Sequence, residues 1–172
     1  SAGVPVFMID VKGDLAGTSI MGEENESITS RVEKMGLEGF DYKKFPVNFL
    51  DVYGVNGHPV RTTVEAVGHR LMSKMLGLSD VQDSVLSMIY KIAEDEGKEM
   101  DTLEDLQSML VFVNNNRNEY SLKYGNLPSQ SITTIQRNVL ELMEDVDDCF
   151  FGRPSFDIKD LRGFDVDSGY GK

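Results

Sequence analysis

From Val4 to Ile9 the chain is apolar at successive positions, without the alternation of a strand that faces water on one side, and the run stops at Asp10. Such a run predicts a central strand of a parallel sheet. Pro5 falls among its first residues, where a missing N–H is tolerated. Ile28, Val32 and Met35 then recur at helical spacing, with Asn25 as the expected N-cap and Gly36 as the stop. Phe45 to Gly54 (FPVNFLDVYG) is rich in β-formers and ends in a turn signal, which predicts a second strand with Asp51 near its end. Strand, helix and strand make a βαβ-like unit.

From Thr62 onward the pattern turns helical. Val64, Val67, Leu71 and Met75 share one face of a first long helix that closes at Gly77. Ser79 caps a second, with Val81, Val85, Ile89 and Ile92 facing inward and Gly97 at its end. A third opens at Asp101 or Thr102, places Glu104 in its first turn and carries Leu103, Leu106, Leu110 and Val113. NNNRNEY, from Asn114, weakens or interrupts it. The cleanest stripe runs from Pro128 to about Val146, through Ile132, Ile135, Val139, Leu142 and Met143. Short apolar pieces return around Gly152 and Pro154, and Asp157 to Leu161 predicts one helical turn leading toward a strand after Lys172. No internal repeat or low-complexity tract stands out. The expected architecture is α/β: a nucleotide-binding-type layer over residues 1–61, an all-helical insertion over 62–148, and a return segment over 149–172.

Size and charge narrow the functions open to this fold. A chain of 172 residues with 40% hydrophobic content suits one domain with a real core. Its formal charge of -12, from 17 Lys plus Arg against 29 Asp plus Glu, repels phosphate backbones unless basic groups are gathered on one patch. Lys43 with Lys44 and the scattered Arg137, Arg153 and Arg162 form no such patch, so nucleic-acid contact through this segment is not supported. One cysteine, Cys149, makes no internal disulfide, and no apolar run reaches the ~20 residues of a membrane helix. Without a signal-peptide succession at its start, the chain is expected in the cytoplasm of a bacterium or archaeon. Its opening beside a strand core and its close on DVDSGYGK suggest a piece of a longer protein.

Ligands of open parallel sheets gather beyond the carboxyl ends of the strands, which is where VFMIDVKGDLAG places Asp10, Lys12 and Asp14. A strand ending in Asp-x-Lys-Gly-Asp can hold a carboxylate over a phosphate, a metal ion or an activated water, and Gly13 lets the backbone turn. The same residues also read as a plain exit turn. A rival reading makes VFMID the metal-binding strand of a P-loop ATPase, where Glu usually follows the Asp; here Val11 does. No G-x-x-x-x-G-K-S/T and no G-x-G-x-x-G occurs, and the final GYGK breaks off, so these residues alone are not a self-sufficient P-loop ATPase. His58 and His69 fall outside ligand spacings and read as turn and helix-surface residues, with no metal site expected. Cys149, beside Phe150 and Phe151, reads as a small core residue. Arg61 and Arg137 read as surface or ion-pair groups rather than arginine fingers.

Five collinear stretches carry a family resemblance: GVPVFMIDVKGDLAG, NFLDVYGVNGHPVRTTV, LGLSDVQDSVL, YGNLPSQSITTIQRNVL and FFGRPSFDIKDL. Together they resemble the YjgR-like ATPases of the HerA and FtsK superfamily of P-loop NTPases, also described as HerA-like helicases. The resemblance implies that the chain is similar to part of a P-loop parallel sheet with a large helical insertion, the Walker A loop lying upstream and the Walker B strand downstream. The wider superfamily carries Asp-x-x-Gly-Glu at this strand end, and its last acidic residue is thought to orient the attacking water. Asp10 and Gly13 match the first Asp and the Gly, and Asp14 stands where that Glu would be, one methylene shorter. The resemblance thus implies Asp14 and Asp10 as catalytic residues, and Lys12 and Gly13 beside the phosphates. It also implies ATP and Mg²⁺ as cofactors of the full-length protein, hexameric rings that pump DNA or polypeptide, and an inactive fragment.

Three functions are therefore expected in turn. The first is an ATP-hydrolysing motor or switch with Asp14 near the γ-phosphate. The second is a helical interaction or oligomerisation module over about residues 62–148. The third is a phosphohydrolase that holds Mg²⁺ with Asp10, Asp14 and Asp51.

Overall fold

The computed structural model describes residues 4–146, 149–157, 159–161 and 163. Two compact units emerge, one of Ser1–Phe49 with Phe156–Lys172 and one of Leu50–Ser155. Among the described residues the architecture is helix-dominated, with one two-stranded parallel sheet.

In the first unit, a 3-10 helix spans Asp14–Ser19 and helix α1 spans Glu26–Met35. The expected caps of α1 are both present. The Asn25 side chain accepts from the N–H of Ile28 at 3.0 Å, and Gly36 takes the left-handed conformation at the other end. The expected central strand is not formed. Val4–Ile9 pairs with no described strand, and its side chains face solvent, with Phe7 70% and Ile9 80% exposed. A parallel strand is held by ladder bonds to its neighbours and by cover on both faces, and no described residue supplies either here. Asp157 and Asp160 close a turn through Asp160 N–H to Asp157 O at 2.9 Å. Ile158, within the helical turn expected there, lies outside the described residues, as do residues 162 and 164–172 toward the expected strand.

The second unit begins with β1 (Leu50–Asp51), which pairs in parallel with β2 (His58–Pro59), Leu50 opposite His58. The strand expected over Phe45 to Gly54 is thus reduced to two residues. Its partner is only a loop away, because Asp51 turns the chain back before a longer ladder can form. An isolated parallel bridge joins Thr62 to Phe151, with Thr62 N–H donating to Phe150 O and Gly152 N–H donating to Thr62 O, both at 3.0 Å. A P-loop parallel sheet is not among the described elements.

Five helices follow: α2 (Val64–Met75), α3 (Asp80–Asp95), α4 (Leu103–Asn115), α5 (Arg117–Tyr124) and α6 (Ser129–Asp145). Helix α3 is the centre, packed on α2, α4 and α6, and α4 packs in turn on α6. Val85, Leu86, Ile89 and Ile92 meet Leu106, Leu110 and Val113 of α4 and Ile132, Ile135 and Val139 of α6 in one buried cluster. Each such side chain contributes ~1.5–3 kcal/mol by leaving water, which is why this unit is built from the helical stripes. The interruption expected at NNNRNEY is the break at Asn116 between α4 and α5.

Helix α2 departs from the expected phase. Gly68 sits inside it at φ 74 and ψ 158, outside helical geometry. The residues beyond are rotated by about one position, so Met72 and Leu76 enter the core while Leu71 is 53% and Met75 38% exposed. Among the described residues no helix is long and apolar enough to cross a membrane.

Candidate functional site

Asp10 lies at the end of the apolar run and turns its carboxylate onto its own loop. Oδ1 accepts from the N–H of Lys12 at 3.2 Å and of Gly13 at 2.7 Å, and Oδ2 accepts from Leu15 N–H at 2.9 Å. Gly13 stands at φ 78, a conformation that favours glycine, and a Cβ there would meet nothing within 4 Å, so φ and not space selects the residue. The 3-10 helix then starts at Asp14. Its far end is held by Thr18 Oγ1 donating to Leu15 O at 2.7 Å and by Phe45 N–H donating to Thr18 O at 3.0 Å. Partial desolvation pushes the Asp10 carboxyl up, but the N–H groups of Leu15, Gly13, Lys12 and Asp14 together outweigh it and hold the carboxyl below its usual range.

The four sequence-derived residues are therefore brought together in one exposed loop, in two classes. Asp10 and Gly13 shape the backbone. Lys12 and Asp14 present exposed side chains with no partner among the described residues.

Asp51 repeats the arrangement. Its carboxylate accepts from Tyr53 N–H at 3.2 Å and from Val55 and Asn56 N–H, both at 2.9 Å. The N–H of Asn56, then of Tyr53, hold its carboxyl below the usual range, against the effect of desolvation. Asp10-Val11-Lys12-Gly13 and Asp51-Val52-Tyr53-Gly54 are the same four-residue pattern, each with its glycine at positive φ. A scan for long repeats passes over so short a recurrence; Asp-Val-x-Gly read as a loop signature was the signal available.

These contacts bear on the Mg²⁺ reading built from Asp10, Asp14 and Asp51. Two of its three carboxylates already accept from backbone N–H groups. Among the described residues no group of three or more His, Cys, Asp or Glu gathers to hold a metal ion.

Elsewhere, His58 is exposed on β2, and His69 lies half-buried on α2 with its ring edge-on to Tyr90 at 6.2 Å between centroids. Cys149 is half-buried, and its carbonyl accepts from Arg61 Nε at 3.0 Å. Arg137 faces Glu141 at 3.9 Å between exposed groups, a weak pair. Two clefts mark the helical unit. One of about 320 Å³ is lined by Glu65, His69, Tyr90, Lys91, Glu94 and Lys98, and its Lys91 is tied to Glu94 and Asp95, both at 3.0 Å. The other, of about 510 Å³, holds Arg61 and Arg153, with Arg153 paired to Asp101 and to Glu99. Sequence reading missed these Arg153 pairs because their partners lie 52 and 54 residues upstream, where no local pattern announces them.

No curated protein and no solved structure matches the chain. A family model does, that of the helicase HerA-like C-terminal region, over residues 1–171. That match takes in the Asp10–Asp14 loop, the Asp51 loop and all six α-helices alike, so the chain belongs to the helicase HerA-like C-terminal family.

Proposed function

We propose that the chain is part of an ATP-hydrolysing, HerA-like motor or switch of the P-loop NTPase class, in its YjgR-like branch. The observation that carries the reading is the family match over residues 1–171. The loop of Asp10 to Leu15 supports it, because it presents Lys12 and Asp14 to solvent beyond an apolar run. In this reading Asp14 orients the attacking water, and Lys12 with the Gly13 backbone lies beside the phosphates. These 172 residues contain no G-x-x-x-x-G-K-S/T, the sequence that builds a P-loop's phosphate cradle. ATP and Mg²⁺ would be held chiefly by sequence outside them. A ring of subunits and a translocated DNA or polypeptide belong to the same proposal, although a charge of -12 lends no support to DNA contact through this segment.

The test is steady-state ATP turnover of the full-length protein against its Asp14→Asn variant and against the 172 residues alone. The reading expects turnover by the long form, silence from the short one, and a loss of about a hundredfold or more with Asp14→Asn. Equal rates for parent and Asp14→Asn would remove Asp14 from the reaction. A second reading, a helical interaction module, is favoured by Leu71 and Met75, which the kink at Gly68 leaves exposed on α2.

A further inference from the structure

Asp10 stands at the start of the candidate loop, exposed, with both of its oxygens accepting from backbone N–H groups. Oδ1 takes the N–H groups of Lys12 and Gly13, and Oδ2 takes that of Leu15. Asp14 is the residue between the last two of these anchors. An Asp side chain has only two rotatable bonds, so once its Cα is placed its carboxylate has few positions open to it. Holding the backbone on both sides of Asp14 therefore limits where that carboxylate can reach.

The second Asp-Val-x-Gly segment is an independent instance of the device. Asp51 accepts from the residues two, four and five positions on, and Gly54 stands at φ 65 as Gly13 does at φ 78. In both loops the leading Asp accepts from N–H groups two and five residues on. Two things differ: Gly13 N–H reaches the Asp10 side chain whereas Gly54 N–H reaches the Asp51 carbonyl, and the residue after the glycine is Asp14 in one loop and Val55 in the other.

We infer that Asp10 is a positioning residue: it meets neither nucleotide nor metal, and holds the backbone from Lys12 to Leu15 so that Asp14 is presented in one place. The inference rests on the ATPase reading above. It matters for rate because displacing a catalytic group by about 1 Å costs on the order of a hundredfold.

The experiment uses the full-length protein and compares the parent with Asp14→Asn, Asp10→Asn and Asp10→Ala. It reads kcat, KM for ATP, the half-saturating Mg²⁺ concentration, and amide exchange at Gly13 and Leu15. Asn keeps an oxygen for Lys12 and Gly13 but turns an NH₂ toward Leu15, whereas Ala keeps nothing. A positioning role predicts that Asp10→Ala lowers kcat by roughly ten- to a hundredfold while KM and the Mg²⁺ requirement stay within about twofold. Asp10→Asn falls between Ala and parent, and protection at Leu15 is lost in both variants. The inference is overturned if Asn is as slow as Ala and the Mg²⁺ requirement rises, since Asp10 then meets the metal. It is equally overturned if Asp10→Ala keeps its kcat while Asp14→Asn loses it. A parent-like Asp14→Asn sinks the ATPase reading itself, and that outcome is read from the Asp14 variant alone.

Discussion

The hydroxyl of Tyr124 donates to Oδ2 of Asp95 at 2.6 Å, joining the end of α5 to the end of α3 across 29 residues of sequence. Asp95 also faces Lys91 at 3.0 Å and Lys123 at 3.7 Å. The Tyr124 hydroxyl, then Lys91, hold the Asp95 carboxyl below its usual range, against the effect of desolvation. Helix α5 is eight residues long and buries only Tyr120, so it relies on such ties.

Tyr124→Phe removes the donor and keeps the ring under Lys123, whose Nζ lies 4.7 Å from its centroid. The expected outcome is local: several-fold faster amide exchange along α5, with α3 and α6 unchanged. Unchanged exchange along α5 would show that Tyr120 packing alone holds it.

Gly68→Ala separates two opposed effects. Helix propensity favours Ala by ~1 kcal/mol, but φ 74 with ψ 158 is a region essentially reserved for glycine, and forcing another residue there costs of order 1–3 kcal/mol. A Cβ would meet nothing within 4 Å, so the penalty is backbone strain alone. The variant is expected to be less stable by up to about 2 kcal/mol in denaturant unfolding. A more stable variant would mean that α2 straightens and turns Leu71 and Met75 inward.

Acid should release the two Asp-Val-x-Gly loops. Both carboxyls have folded values below their ordinary one, so each favours the closed loop at every pH above that ordinary value, about 3.9. The contribution fades as pH falls from there through the lowered folded value. Protonation replaces an acceptor with a donor facing an N–H group. Amide exchange at Leu15 and Asn56, corrected for intrinsic rates, is expected to lose protection below about pH 4 and to hold it from pH 5 to 7. In Asp51→Asn the Asn56 dependence should vanish while that of Leu15 remains; a shared response would mean that the loops do not open independently.

The sequence alone determined the helices and the loop, because both are encoded by neighbours. Asn25 with Gly36 bounded α1, Asp101 or Thr102 was to open α4 and Thr102 does, and Ile132, Ile135 and Val139 marked the buried face of α6. Asp10, Lys12, Gly13 and Asp14 were legible as one group for the same reason: turn chemistry acts over five residues. Tertiary structure decided the rest. A strand exists only through its partners, so Val4–Ile9 stayed unpaired despite its apolar run, and β1 shrank to Leu50–Asp51 beside a His58–Pro59 that no pattern announced. The phase of α2 turned on the dihedrals of a single glycine, Gly68. The Arg153 pairs and the bond from Asn138 Nδ2 to Leu76 O join residues 52 to 62 positions apart, and only the packed chain brings such groups within hydrogen-bond reach. Even the difference within the loop, Asp10 bonded to backbone N–H groups and Asp14 not, lay beyond the sequence, since two carboxylates four residues apart look alike until their hydrogen bonds are known.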